Sequence, residues 1–359
     1  MGAIASTDAD EQAHVCFFRD GETGLRGITV LDDLRLGPAV GACRTRRYDD
    51  EDRALADALR QARTTTLKAV MAGLPFGGGC TVLLDDREEV RGISPFGSLG
   101  RMVDDLGGRY FLMPEIGTAA ADMDKAAEET AHVLGQSSHE VLDPGEATAA
   151  GVCKGIEAAV GRRLGLADLG GVHVALLGLG PAGFRLAELL RQQGAKLTVA
   201  DRDPRRTERA VRELGIACVT TEEIVHLNVD IFAPCAGQNI IDEDSLSHLR
   251  CSIVAGTADN FLKMPALGQR LHERGILYLP DYTLSAGGLI SLGSSLIPDA
   301  SDRPSIERRI SFIGDRLIEI IDRSEREQQP TCAVAEQIAL ARLADRVSSG
   351  DANDVAMAC

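Results

Sequence analysis

The sequence has no run of 18 uncharged residues, so no segment reads as a membrane span. Positive charge is also scarce: 38 lysines and arginines stand against 54 aspartates and glutamates, a net charge of −16, which argues against nucleic acid as a partner. None of the nine cysteines (Cys16, Cys43, Cys80, Cys153, Cys218, Cys235, Cys251, Cys332 and Cys359) forms a C-x-x-C pair, so neither a zinc ribbon nor a thioredoxin motif is indicated. The histidines are scattered without metal-ligand spacing, and no metal is expected. A signal peptide is missing too, because Asp8, Asp10 and Glu11 stand where a basic region and an apolar core belong. The start Met1-Gly2-Ala3-Ile4-Ala5-Ser6 fits the loose myristoylation pattern, but no basic cluster or second anchor supports it. The chain is therefore read as cytoplasmic, with most of its cysteines reduced and buried.

At 359 residues the chain is long enough for two domains, each with its own core. Two strand-like runs, Val15-Cys16-Phe17-Phe18 and Gly27-Ile28-Thr29-Val30-Leu31, flank the turn Gly21-Glu22-Thr23-Gly24. From 49 to about 72, Leu55, Ala58, Leu59 and Ala62 recur at helical spacing behind Asp49 or Asp50 as a cap. A glycine loop, Gly77-Gly78-Gly79, leads to a strand over 81–84. A helix is expected over about 94–106, a strand over 109–113, a loop from Pro114 and a helix from near Ala120. Pro144-Gly145 reads as a break before a helix over about 148–164. Beyond it, Val172-His173-Val174-Ala175-Leu176-Leu177 is a continuous run of the kind found in buried parallel strands. Strand-length runs recur near 196–200, 231–233, 252–255 and 277–279 with helices between them, which predicts a doubly wound α/β domain. Helices over about 305–323 and 331–347 close the chain.

Gly178-Leu179-Gly180-Pro181-Ala182-Gly183 follows a predicted strand and precedes a predicted helix, and Asp201 ends the next strand, 18 positions after Gly183. That context makes a dinucleotide fingerprint of an otherwise weak motif. Gly178 permits the tight turn, Gly180 lets the backbone approach a pyrophosphate at the helix N-terminus, and Gly183 allows helix and strand to pack closely. Asp201 suits the ribose hydroxyls of NAD and opposes a 2′-phosphate. Arg202, Arg205 and Arg206 pull the other way, since an arginine there can receive that phosphate.

The run from Thr65 to Lys68, then Ala72-Gly73-Leu74, the three glycines and Val82-Leu83-Leu84 resembles the active-site segment of the leucine, phenylalanine and valine dehydrogenases. So do Leu36-Gly37-Pro38-Ala39-Val40-Gly41, Asp122-Met123-Asp124, Thr148-Ala149-Ala150-Gly151-Val152, Pro234-Cys235-Ala236, Thr257-Ala258-Asp259-Asn260 and Ala286-Gly287-Gly288. The resemblance runs from about residue 14 to 345. It implies an α/β fold: an N-terminal α/β substrate-binding and oligomerisation domain over 1–145, with 331–359 packing back on it, and a C-terminal doubly wound Rossmann NAD-binding domain over 146–330. It also implies a homo-oligomer, at least a dimer, and NAD-dependent conversion of an L-amino acid to a 2-oxo acid. Thr148, Gly178, Gly180, Pro181, Ala182, Gly183, Asp201, Arg202, Cys235, Ala236, Ala258, Asp259 and Asn260 match cofactor positions. Val40, Gly41, Met113, Leu289 and Leu292 match the substrate pocket, which is expected to be apolar and restricted.

The resemblance breaks where the chemistry is done. Lys68 matches the lysine that binds the substrate carboxylate. The family's second lysine lies twelve positions later, and here that position is Cys80. Glu115 replaces the proton-shuttling aspartate, and Ser285 replaces an asparagine beside the substrate. A thiol supplies no fixed positive charge for a developing oxyanion. Cys80 then has three readings: an inert residue in a catalytically silent relative, a neutral group in a hydride-transfer enzyme acting on a small amine, imine or related carboxylate, or a nucleophile towards an aldehyde.

Overall fold

A computed structural model of the chain describes residues 13–84, 95–138 and 141–349, so the myristoylation-like start, its acidic stretch and Cys359 lie outside the described residues. The chain forms two compact units. The first begins with strands β1 (His14–Arg19), β2 (Arg26–Leu31) and β3 (Ala39–Arg46), helix α1 (Glu51–Met71), strand β4 (Gly77–Leu84), helix α2 (Pro95–Asp104), strand β5 (Tyr110–Pro114) and helix α3 (Ala120–Ala127). Its sheet has the order β1-β2-β4-β3-β5; β2 pairs antiparallel with both β1 and β4, whereas β3 is parallel to β4 and β5.

Helix α1 starts where the Asp50 carboxylate accepts the Arg53 backbone N–H at 2.7 Å. Glu51 and Asp52 lie in its first turn and Lys68 in its last, as the helix dipole favours. Ala54, Ala58 and Ala62 pack with Ile28, Val30, Cys80 and Val82 of the sheet. The small side chains let the helix lie very close to β4. A Cβ on Gly78 would sit 2.2 Å from the Ala62 carbonyl and the Thr66 amide. This corrects the expectation of a glycine loop: Gly77, Gly78 and Gly79 are the first residues of β4.

The second unit contains α4 (Pro144–Arg163), β6 (His173–Leu177), α5 (Pro181–Gln192), β7 (Lys196–Ala200), α6 (Pro204–Leu214), β8 (Ala217–Cys218), β9 (Ile231–Pro234), α7 (Glu243–His248), β10 (Ile253–Val254), α8 (Ala266–Glu273), β11 (Leu277–Tyr278) and α9 (Asp281–Leu284). Helices α10 (Gly287–Gly293), α11 (Arg303–Glu327) and α12 (Thr331–Ser349) follow. The six strands are all parallel in the order β11-β10-β9-β6-β7-β8. The chain steps outward from β6 to β8 and then returns to β9 on the other side of β6. That reversal makes the switch point at which doubly wound folds bind dinucleotides. The helix expected from about 148 begins four residues earlier: Pro144 occupies the first turn of α4, and Asp143 caps it by accepting the Glu146 N–H at 2.8 Å.

The first unit runs to Val141 and takes in later segments of the chain. Leu292–Asp299 belongs to the first unit, where the Phe76 ring lies 2.7 Å from where a Cβ on Gly293 would be. The first half of α12 belongs to the second, because Thr331 donates its hydroxyl to the Tyr278 carbonyl and the Cys332 sulfur packs against Gly268. From Leu340 onward the helix counts with the first unit, with Arg346 donating to the Leu74 carbonyl at 3.0 Å.

Candidate active site

The register of the first sheet puts Val40, Ala42 and Arg44 of β3, Gly78, Cys80 and Val82 of β4, and Phe111 and Met113 of β5 on one face. Glu115 follows β5 in the same alternation. Among the expected site residues, the structure thus brings Val40, Cys80, Met113 and Glu115 to this face. Gly41 lies on the opposite side of β3, where a Cβ would clash with the Gly79 carbonyl at 2.3 Å. Lys68 is buried in the last turn of α1, the helix that covers this face. Leu292 packs near Pro114 across Gly135.

The dominant polar group on the face is one the sequence reading missed. Arg44 is 2% exposed and sits between two carboxylates. Its Nη1 is 3.2 Å from Asp57 of α1, and its Nε and Nη2 donate to both oxygens of Glu115, the latter at 3.0 Å. The Tyr48 hydroxyl donates to Asp57 at 2.7 Å. Burial pushes the Asp57 carboxyl up, but Tyr48, Arg44 and Arg60 outweigh it and hold the group below the usual carboxylate range. Glu115 is therefore a fixed, fork-paired carboxylate whose side chain is 22% exposed. The available signal was strand alternation: an arginine on the same face as Val40 and Ala42 needs partners when buried.

Cys80 is fully buried among Ile28, Val30, Ala54, Leu55, Ala58, Ala62 and Val82. Burial drives its thiol well above the ordinary value, against the pull of Arg44 and with the help of Glu115 and Asp57. Such a thiol is protonated at neutral pH and has no approach for an aldehyde. Burial and a raised thiol both weigh against the nucleophile reading.

In the second unit the glycine motif forms the turn between β6 and α5. Gly178 has φ +107°, and a Cβ there would lie 2.2 Å from the Ala236 methyl. A Cβ on Gly183 would lie 2.1 Å from the Gly178 carbonyl. Gly180 differs: the nearest atom to its Cβ position is Arg206 Nη1 at 4.0 Å. Packing within the chain does not require glycine there, whereas close approach of an external phosphate does. Pro181 opens α5, and Asp201 Oδ2 accepts the Leu179 N–H at 2.6 Å, clamping the turn. Arg202 is exposed. These residues fit a dinucleotide at the switch point.

Other expected cofactor residues hold the neighbouring turns. Thr148 donates to the Pro144 carbonyl at 2.8 Å and accepts the Gly288 N–H at 3.1 Å. Cys235 donates its N–H to the Leu177 carbonyl at 2.7 Å, and Ala258 donates to that of Pro234 at 3.2 Å. Asn260 is left-handed, with φ +52°. Ser285 Oγ lies 2.5 Å from Asp259 Oδ1 and 2.7 Å from the Asp281 carbonyl, two acceptors for its one proton. Leu289 is buried in this second unit.

Comparison with known proteins agrees with this architecture. The family model described as "Glu/Leu/Phe/Val dehydrogenase, dimerisation domain" matches residues 12–139, and that described as "Glutamate/Leucine/Phenylalanine/Valine dehydrogenase" matches 202–348. A leucine dehydrogenase of Geobacillus stearothermophilus is 38% identical over 331 residues, covering 92% of this chain and 90% of its own length. A phenylalanine dehydrogenase of Caldalkalibacillus thermarum is 32% identical over 96% of this chain and 95% of its own. The crystal structure of L-tryptophan dehydrogenase from Nostoc punctiforme superposes with a TM-score of 0.78 at 34% identity, covering 93% of this chain and 96% of that one. The chain belongs to the Glu/Leu/Phe/Val family of amino-acid dehydrogenases, oxidoreductases acting on CH–NH2 groups.

Proposed function

We propose that this protein is an NAD-dependent oxidoreductase acting on the amine or imine of a small carboxylate substrate, with the hydrolytic half of oxidative deamination weakened. The observation that carries this reading is the thiol at position 80, buried and protonated on the face that bears Arg44 and Glu115. Gly178, Gly180, Gly183 and Asp201 would hold the cofactor, which supplies the hydride acceptor. Lys68 binds the substrate carboxylate. Glu115, fixed by Arg44, accepts and returns the proton of the substrate amine. Val40 and Met113 present apolar surface, which suits an apolar side chain.

Charge supports the division of labour. Arg44 and Arg60 balance Asp57 and Glu115, and Cys80 adds no positive charge. A cluster with no surplus positive charge does not oppose an ammonium or iminium cation. Water adds to the iminium to give a carbinolamine, and the cluster offers little to the negative charge that develops on its oxygen as the hydroxyl proton is lost and ammonia leaves. The protein is further read as a homo-oligomer, at least a dimer, built on its N-terminal unit. There the edge strand β1 leaves Val15 and Phe17 exposed, at 36% and 60%.

The test is NADH formation with a panel of L-amino acids and, in reverse, with 2-oxo acids and ammonia. Slow turnover is expected, and Cys80→Lys should raise kcat by about 10²-fold, the scale of one oxyanion-stabilising group. Rapid turnover of leucine or phenylalanine by the wild type would overturn the proposal. Cys80→Lys remaining silent while it folds and binds NAD would favour the second reading, a catalytically silent relative, which the same missing charge supports.

A further inference from the structure

Three arginines follow Asp201, and the structure treats them differently. Arg205 is 86% exposed and closes back on the carboxylate that caps its own helix: Nε is 3.1 Å from Asp203 Oδ1 and Nη2 is 3.1 Å from Oδ2. Arg202 is exposed, and its charge is felt at Glu222. Arg206, in the first turn of α6, turns towards the glycine loop. Its Nη1 lies 3.6 Å from Asp201 Oδ2 and 4.0 Å from the Cβ position of Gly180.

Asp201 is at the same time engaged with the backbone. Oδ2 accepts the Leu179 N–H at 2.6 Å and Oδ1 the Asp203 N–H at 2.8 Å. An aspartate at this position excludes a 2′-phosphate through its charge. Here two N–H dipoles and a guanidinium beside the carboxylate offset that charge. Each oxygen keeps a lone pair for a ribose hydroxyl.

We propose that Arg206 is a cofactor-specificity residue that lets this protein bind NADP as well as NAD, by receiving the 2′-phosphate. The inference rests on the dinucleotide reading of this loop given above. A guanidinium offers forked donors that match phosphate geometry. Arg206 is 49% exposed, and its contacts with Asp201 at 3.6 Å and Asp203 at 4.0 Å are longer than hydrogen bonds, so its donors can turn to a phosphate; Asp201, only 7% exposed, keeps its two backbone N–H partners when they do.

Calorimetric titration with NAD+, NADP+, 5′-AMP and 2′,5′-ADP tests this without catalysis. The wild type should bind NAD+ and NADP+ with Kd values within about tenfold of each other. Arg206→Ala should weaken NADP+ and 2′,5′-ADP by about ten- to a hundredfold, the scale of a charge-assisted hydrogen bond, and leave NAD+ and 5′-AMP within about threefold. Arg206→Lys should keep part of the NADP+ affinity, and Arg205→Ala all of it. Binding of NAD+ without NADP+ would overturn the inference and leave the dinucleotide reading intact. Equal losses in Arg206→Ala and Arg205→Ala would also overturn it. Binding of neither dinucleotide would overturn both.

Discussion

Replacing Arg44 by methionine removes the positive centre of the buried cluster and keeps most of the side-chain volume. Asp57, 8% exposed, would then face an apolar sulfur where it had a guanidinium at 3.2 Å. At an effective dielectric of 20 that contact alone is about 5 kcal/mol of Coulomb energy, much of it offset by the desolvation of both groups. Breaking a buried pair from one side costs about 3–5 kcal/mol, and the lower end applies here, because Asp57 keeps Arg60 at 3.4 Å and the Tyr48 hydroxyl. For a unit of this size that is a fall in melting temperature of about 10 °C. Calorimetry is the suitable assay, since the sequence has no tryptophan to report unfolding by fluorescence. The pH dependence carries the decisive sign. The Asp57 carboxyl is held below its ordinary range in the folded protein. Its contribution is therefore present above the unfolded value, about 3.9, and is lost as pH falls through the lower folded one. In Arg44→Met, burial prevails and that depression shrinks. The deficit should be full at pH 7 and narrow as the pH drops below about 4. A variant that melts within about 2 °C of the wild type at pH 7, or whose deficit is unchanged at pH 3.5, would refute the reasoning.

Two further outcomes follow from burial and space. Iodoacetamide at neutral pH should modify the exposed Cys218 first among the described cysteines and leave Cys80 and Cys43 intact, as peptide mass spectrometry would show; early labelling of Cys80 would contradict its burial. Gly180→Ala should melt within about 1 °C of the wild type while NAD+ binding weakens at least about tenfold, because only a ligand needs that space. Gly183→Ala should instead lose roughly 1–3 kcal/mol of stability from overpacking against the Gly178 carbonyl.

The second unit was legible because its signals are local. An apolar run, a glycine turn and an acidic strand end lie within thirty residues of one another in the sequence, and they reappear as β6, the turn and β7. The cluster around Arg44 was not, because Arg44, Tyr48, Asp57 and Glu115 come from β3, the loop after it, α1 and the residue after β5. No spacing rule links them; only the register of β3 with β5 and the seat of α1 on the sheet do. The glycines at 77–79 misled for a related reason. Three glycines in a row look like a turn, yet their missing side chains serve a helix pressed against a strand, a demand that exists only in the tertiary structure. Pro144 misled about where a helix starts: read as a break before a helix from 148, it stands in the first turn of that helix, where a missing N–H costs nothing.

The charge of the Arg44 cluster also bears on the order of events in the proposed reaction. Hydride removal from an amine leaves an iminium cation, which the balanced Arg44 cluster does not oppose; water then adds to give a carbinolamine, whose oxygen gains negative charge as its proton is lost and ammonia leaves, a charge that the family's second lysine would stabilise and a protonated thiol does not. Losing one such group costs about 10²–10³-fold in rate. The first half-reaction should therefore outrun the second. Mixing the protein with NAD+ and a turned-over L-amino acid in a stopped-flow instrument should give a rapid rise of NADH absorbance close to one equivalent per active site, followed by a slow steady rate. Cys80→Lys should raise the slow rate and shrink the burst. Linear NADH formation from the first turnover, in a wild type that binds NAD+ normally, would place the slow step at hydride transfer and remove the charge argument for Cys80.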